Sequence, residues 1–161
     1  MLKSVEFMSL KAVKSVVPTN GVAVISIHDS STARDLPTFS GFFDVLRVNM
    51  LDVCEEHVGL MPGAWSDEPT LEQHFQYCAL SDNFVPSLSH AHAIRSFVDR
   101  LHAHTDRLDL LVHCSAGVSR SAGVACWAGQ YLGVKLLDRA NVGLGEANPR
   151  IIRLLNSLPR Q

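Results

Sequence analysis

The stretch Leu110–Trp127, LLVHCSAGVSRSAGVACW, decides how this chain is read. It begins inside a short apolar run, Leu108–Val112, that stops abruptly at His113-Cys114, the pattern of a buried strand near the centre of a sheet. It ends in Ser121–Leu132, whose apolar residues recur at helical spacing. Between the two, Gly117 marks a tight turn. A strand, turn and helix in this order direct the backbone N–H groups of residues 115–120 inward around a small cavity, where the helix N-terminus adds partial positive charge.

A cysteine on the floor of such a cavity has its thiolate stabilised by those donors and by any guanidinium nearby, which makes Cys114 a nucleophile at neutral pH. Six residues on, Arg120 folds back over the loop and offers two parallel donors to a phosphate, a geometry lysine cannot reproduce. Ser115, Ala116, Gly117, Val118 and Ser119, with Arg120 itself, supply the phosphate-binding cradle. The set describes phosphoryl transfer with no metal and no other cofactor. A bare C-x5-R pair is weak evidence of this, but His113, Gly117, Ser121 and the apolar strand ahead of them make the signal specific.

Working outward, Val22–Ile27 and Val45–Leu51 read as further strands, and Leu10–Val17, Leu88–Leu101 and Pro149–Leu158 as helices. The alternation predicts an α/β domain with a mostly parallel central sheet, helices on both faces, and the phosphate-binding loop between a central strand and a helix. With 161 residues, 47% of them hydrophobic, the chain has the size of a single domain over 1–161. An irregular insertion interrupts it around 53–86, where Leu71, Phe75 and Cys78 suggest a short helix. Trp65, Phe75 and Tyr77 either wall a cleft there or anchor the insertion to the core.

The formal charge of −2, mixed along the chain, argues against nucleic acid as a partner. No run reaches the roughly 18–20 apolar residues of a membrane span, and the N-terminus carries charges where a signal peptide has an apolar core, so a cytoplasmic protein is expected. The four cysteines lack C-x-x-C spacing. Cys126 reads as core, while Cys54 and Cys78 are either ordinary thiols or partners for an oxidised Cys114. His90 with His92, and His102 with His104, point to different helix faces and do not make a metal site.

HCSAGVSRS resembles the H-C-x-x-G-x-x-R-[ST] motif of protein tyrosine phosphatases, and its wording is similar to the small dual-specificity-like branch. The resemblance implies a phosphomonoester hydrolase acting on a phosphorylated protein or a small phosphomonoester. Cys114 would form a phosphocysteine, Arg120 bind the phosphate and Ser121 help the thiolate leave, with His113 tuning the cysteine through loop hydrogen bonds. Ser115, Ala116, Val118 and Ser119 bring no basic side chain, which counts against polyanionic substrates such as inositol phosphates, nucleotides or RNA ends. A phospho-binding module without turnover is the other alternative, and sulfur transfer or arsenate reduction fits the motif less well.

The general acid has two candidates. Asp52 follows a strand, as the acid does in the resembling family, whereas Asp82 lies at that family's usual distance before the cysteine; strand context is given the greater weight. Asp67 ranks third. Asn148-Pro149-Arg150 reverses the family's Pro-Asn order, and helix capping is the expected work of Asn148.

Overall fold

Short β-branched runs ending in polar turns give five parallel strands, in the order β3-β2-β4-β1-β5. The computed structural model describes residues 1–78 and 84–159. In chain order these hold β1 (Leu2–Ser9), α1 (Leu10–Val13), β2 (Val22–His28), β3 (Val45–Asn49), α2 (Leu71–Cys78), α3 (Leu88–His102), β4 (Leu108–Cys114), α4 (Arg120–Leu132), β5 (Lys135–Leu137) and α5 (Pro149–Ser157). The architecture is a single α/β domain with helices on both faces of the sheet, as the alternation predicts, and the parallel arrangement is complete.

Strand alternation sorts the core into two unequal parts. Val5, Phe7, Ile25, Ile27, Leu110 and Val112 face α3, α4 and α5 and form the main core. Each such side chain contributes roughly 1.5–3 kcal/mol when fully buried. Val24 and Leu111 face the other way, against Val13 and Phe39, under the four-residue α1 and the loop before β3.

Two strands were not anticipated. In β1, Lys3, Ser4 and Glu6 interrupt the apolar series, yet Leu2, Val5 and Phe7 are buried and the strand pairs with both β4 and β5. The expected helix Leu10–Val17 is correspondingly only Leu10–Val13, started by the Ser9 hydroxyl accepting from the Ala12 amide. β5, at three residues, is too short to carry a period. β3 stops at Asn49 instead of Leu51 because the Leu51 amide leaves the sheet to bond the Phe84 carbonyl.

Between β3 and α3, where an insertion is expected around 53–86, the described chain is fastened to α5 by buried charge. Glu55 and Arg150 side chains are both fully buried and pair at 2.6 Å. Arg150 also donates to the carbonyls of Pro86 and Ser66, each at 2.7 Å, and Arg153 donates to Glu55 at 2.8 Å. Burial acts to raise the Glu55 carboxyl, but the Arg153 hydrogen bond and the Arg150 charge outweigh it and hold the group below its ordinary range. Trp65 stacks on Tyr77 at 4.8 Å beneath the Arg150 guanidinium, so these two aromatics anchor this chain, while Phe75 is exposed. Among the described residues no helix is long and apolar enough to cross a membrane.

Candidate active site

The loop after β4 is shaped by a single glycine. Gly117 has φ +82°, and a Cβ there would lie 2.3 Å from the Ser9 amide nitrogen and 2.5 Å from the Met8 carbonyl carbon. Only glycine permits both the left-handed turn and this close approach to the end of β1. The Gly117 amide then donates to Cys114 Sγ at 3.3 Å, and Ser121 Oγ lies 3.2 Å from the same sulfur. Cys114 is buried at the last position of β4, and α4 starts at Arg120.

Ser119, at the N-cap of α4, makes no side-chain cap. Its hydroxyl donates instead to Asp52 Oδ1 at 2.6 Å, and its carbonyl accepts from the amides of Gly123 and Asn148. Asn148 caps α5, its Oδ1 accepting from the Ile151 amide, and its Nδ2 donates to Asp52 Oδ1 at 3.0 Å and to the Val53 carbonyl. Asp52 is thus held beside the loop by two donors. β3, the strand that delivers it, is not the neighbour of β4, since β2 lies between them. Beside Asp52 opens a cleft of about 510 Å³ bordered by His57, Val118, Ser119 and Glu146.

Arg120 is buried, its side chain 5% exposed. Nη1 donates to Asp29 Oδ2 at 3.0 Å and to the Met50 carbonyl at 2.8 Å, and Nη2 donates to Ser115 Oγ at 3.0 Å. Nε has no partner. Three of the five N–H groups of a guanidinium are therefore engaged and two remain. A buried N–H without an acceptor is costly, and an anion seated over the loop would satisfy it.

His113 points to the opposite face of the sheet from Cys114. Its Nε2 lies 2.8 Å from Ser26 Oγ, and Phe39 packs on the ring. Burial is the main cause that lowers His113 to about 4, with the Cys114 backbone acting against it, so the ring is neutral.

Among the other candidates, Asp82 lies outside the described residues. Asp67 helps to fasten the chain before α2, 3.5 Å from Arg153. Cys54 is buried, and burial raises its thiol. Cys78 donates to the His74 carbonyl. Cys126 is half-buried, not fully packed into the core, with Gln130 at its sulfur. His90 accepts from the Ser87 amide at the start of α3, and His104 accepts from the Asp106 amide.

Two contributors escaped the sequence reading, Asp29 and the Met50 carbonyl, while Asn148 caps α5 as expected and in addition donates its amide to Asp52. Asp29 left a signal, because it follows β2 directly in the run Asp29-Ser30-Ser31-Thr32. That is turn chemistry at the carboxyl end of a parallel strand, where sites of open α/β sheets lie.

Comparison with curated proteins and with solved structures gives no match. A family model does match, over residues 48–141, which run from β3 through the loop and α4 to just beyond β5. With that span covering more than half of the chain, and with a buried cysteine, amide loop and arginine assembled within it, the chain belongs to the protein-tyrosine phosphatase family.

Proposed function

We propose that this protein hydrolyses phosphomonoesters through a phosphocysteine intermediate, with phosphorylated protein as the substrate class and a dual-specificity-like site. The observation that carries the reading is the buried Arg120 guanidinium, anchored through Nη1 and left with two N–H groups beside a loop whose Gly117 amide donates to Cys114 Sγ. In the first step the Cys114 thiolate attacks phosphorus and the bond to the leaving oxygen breaks, Asp52 giving that oxygen its proton. In the second step water attacks phosphorus, Asp52 takes a proton from it and the S–P bond breaks, while the Ser121 hydroxyl donates to the departing thiolate. Arg120 and the loop amides hold the equatorial oxygens throughout.

Asp52 is preferred over Asp82 because Ser119 and Asn148 fix its carboxylate at the edge of the loop. A protein substrate is favoured by the open cleft beside Asp52, which gives room for chain flanking a phosphorylated residue, and by the absence of basic side chains at the loop's variable positions. The test is hydrolysis of an aryl phosphate, with chelator present, by wild type, Cys114→Ser, Asp52→Asn and Asp82→Asn. Expected are chelator-resistant turnover, its loss in Cys114→Ser, and a fall in kcat of about 10²–10³-fold in Asp52→Asn alone. A wild type that binds phosphate or vanadate without turnover would instead make the chain a phospho-binding module.

A further inference from the structure

Exposed apolar side chains are concentrated on the chain that walls the cleft beside Asp52. Of the nine large apolar residues exposed among the described residues, five lie on two short stretches: Val58, Leu60 and Met61 on one, Val142 and Leu144 on the other. The same two stretches supply His57 and Gly145–Ala147 to the walls of the cleft of about 510 Å³, which Asp52 and Ser119 also line.

Both stretches are tied down. The Leu60 amide donates to the Glu55 carbonyl at 3.0 Å and the Gly59 amide to that of Glu56 at 3.2 Å, and Glu55 is itself paired with the buried Arg150. On the other side, the amides of Val142 and Gly143 donate to the Asp138 carboxylate at 3.1 and 2.7 Å, and the Ala147 amide donates to the Leu144 carbonyl at 3.1 Å. Apolar side chains held out on fixed backbone mark a surface made to be covered, and fixing them beforehand removes part of the ordering cost of binding. The charge beside them is one-sided. Glu56 and Glu146 are exposed, and His57 is the single basic residue of stretches 55–61 and 142–147.

We propose that this cleft receives the substrate chain beside the phosphorylated residue, taking an apolar side chain between the two stretches and rejecting an acidic one. The inference rests on the reading of the protein as a phosphatase of phosphorylated proteins. Continuity with the site fixes the occupant. The cleft is lined by Asp52, the proposed acid, and by Ser119 of the phosphate-binding loop, so whatever enters it beside a seated phosphate is joined to the phosphorylated residue by backbone. An extended chain advances about 3.3 Å per residue, which brings the neighbours one to three positions away into reach. Leu60 and Leu144 supply the apolar contact, and Glu146 repels a carboxylate.

The experiment measures binding of short phosphopeptides to Cys114→Ser in calorimetry, where no turnover is needed. Two sets are used, one on phosphotyrosine and one on phosphothreonine, with leucine, alanine or glutamate placed in turn at each of the three positions on either side. In at least one set, leucine at one position should bind about tenfold tighter than alanine, and glutamate there about fivefold weaker than alanine at low salt. Adding Leu60→Ser and Leu144→Ser together should cut the leucine preference to below about threefold. Val17→Ser, at an exposed apolar residue that does not line the cleft, should leave it in place. Glu146→Gln should bring the glutamate peptide to within about twofold of the alanine one. Leucine and glutamate peptides that bind alike at every position, or a leucine preference that survives the double serine change, would overturn the proposal. If inorganic phosphate binds and no peptide does, the reading of a protein substrate falls and this proposal with it, whereas an inactive wild type counts against the proposed hydrolysis alone.

Discussion

The loop after β4 and the described chain between β3 and α2 both hold irregular backbone in place, and they do it by different means. The loop is fixed by backbone geometry: a glycine that alone fits against β1, and a helix that begins six residues after the cysteine. The chain between β3 and α2 is fixed by long-range charge, a fully buried Glu55–Arg150 pair joining residues 95 apart in sequence. Close packing of backbone on backbone tolerates no added side chain at Gly117, whereas a buried ion pair depends on both of its members, since either alone is an uncompensated charge.

The largest expected effect tests the second half of that contrast. Glu55→Gln should lower stability by about 3–5 kcal/mol in urea unfolding, because Arg150 remains buried without its counterion. A loss below about 1 kcal/mol would mean the ions are not what fastens the chain between β3 and α2. Next, Gly117→Ala should lose about 2–4 kcal/mol, from a left-handed φ and from contact with the Ser9 and Met8 backbone. Phosphate binding should fail along with it, and an alanine variant with wild-type stability would break the account of the loop.

Acid acts on both regions at once. His113 beneath the loop and His90 at the start of α3 are each lowered to about 4, in both cases chiefly by burial. A base whose folded-state value is depressed takes up more protons when unfolded, so its contribution is complete above about 6.5 and is lost as pH falls from there toward 4. Each histidine should therefore cost about 2 kcal/mol between pH 7 and pH 5. Urea midpoints at the two pH values should converge in His90→Gln and in His113→Gln; a variant as pH-sensitive as wild type would show that its ring is not the buried base.

The smallest effect concerns the hinge between the regions. Asn148→Ser retains an acceptor for the cap of α5 but loses the amide that donates to Asp52. It should reduce kcat about tenfold, about 1.4 kcal/mol, while phosphate affinity and stability move little. Equal losses in kcat and in phosphate affinity would place Asn148 in the binding of phosphate and not in the placement of Asp52.

The same contrast explains what was legible in the sequence. The strand, loop and α4 could be read because their residues are contiguous and their chemistry dictates their spacing. β2, β3, α3 and α5 were recognisable from period alone, to within a few residues. β1 was hidden because one of its faces carries Ser4 and Glu6, so no run of apolar residues announced it. Glu55 and Arg150 gave no local sign of each other, and Asp29 and Asn148 reach the site only through the order of strands and the packing of α5 on α4, which nothing within reach of the motif encodes.

That arrangement sets how far the site is portable. Trimming the chain to residues 48–141, the span its family pattern recognises, would keep every residue of the motif. It would also remove both neighbours of β4, since β2 and β1 lie wholly before that span. Gone with them would be the Ser9 wall against which Gly117 turns and, with α5, the amide that holds Asp52. A transplant of this loop into another scaffold must therefore carry two flanking strands and a distant helix start, and the smallest useful fragment is nearly the whole chain.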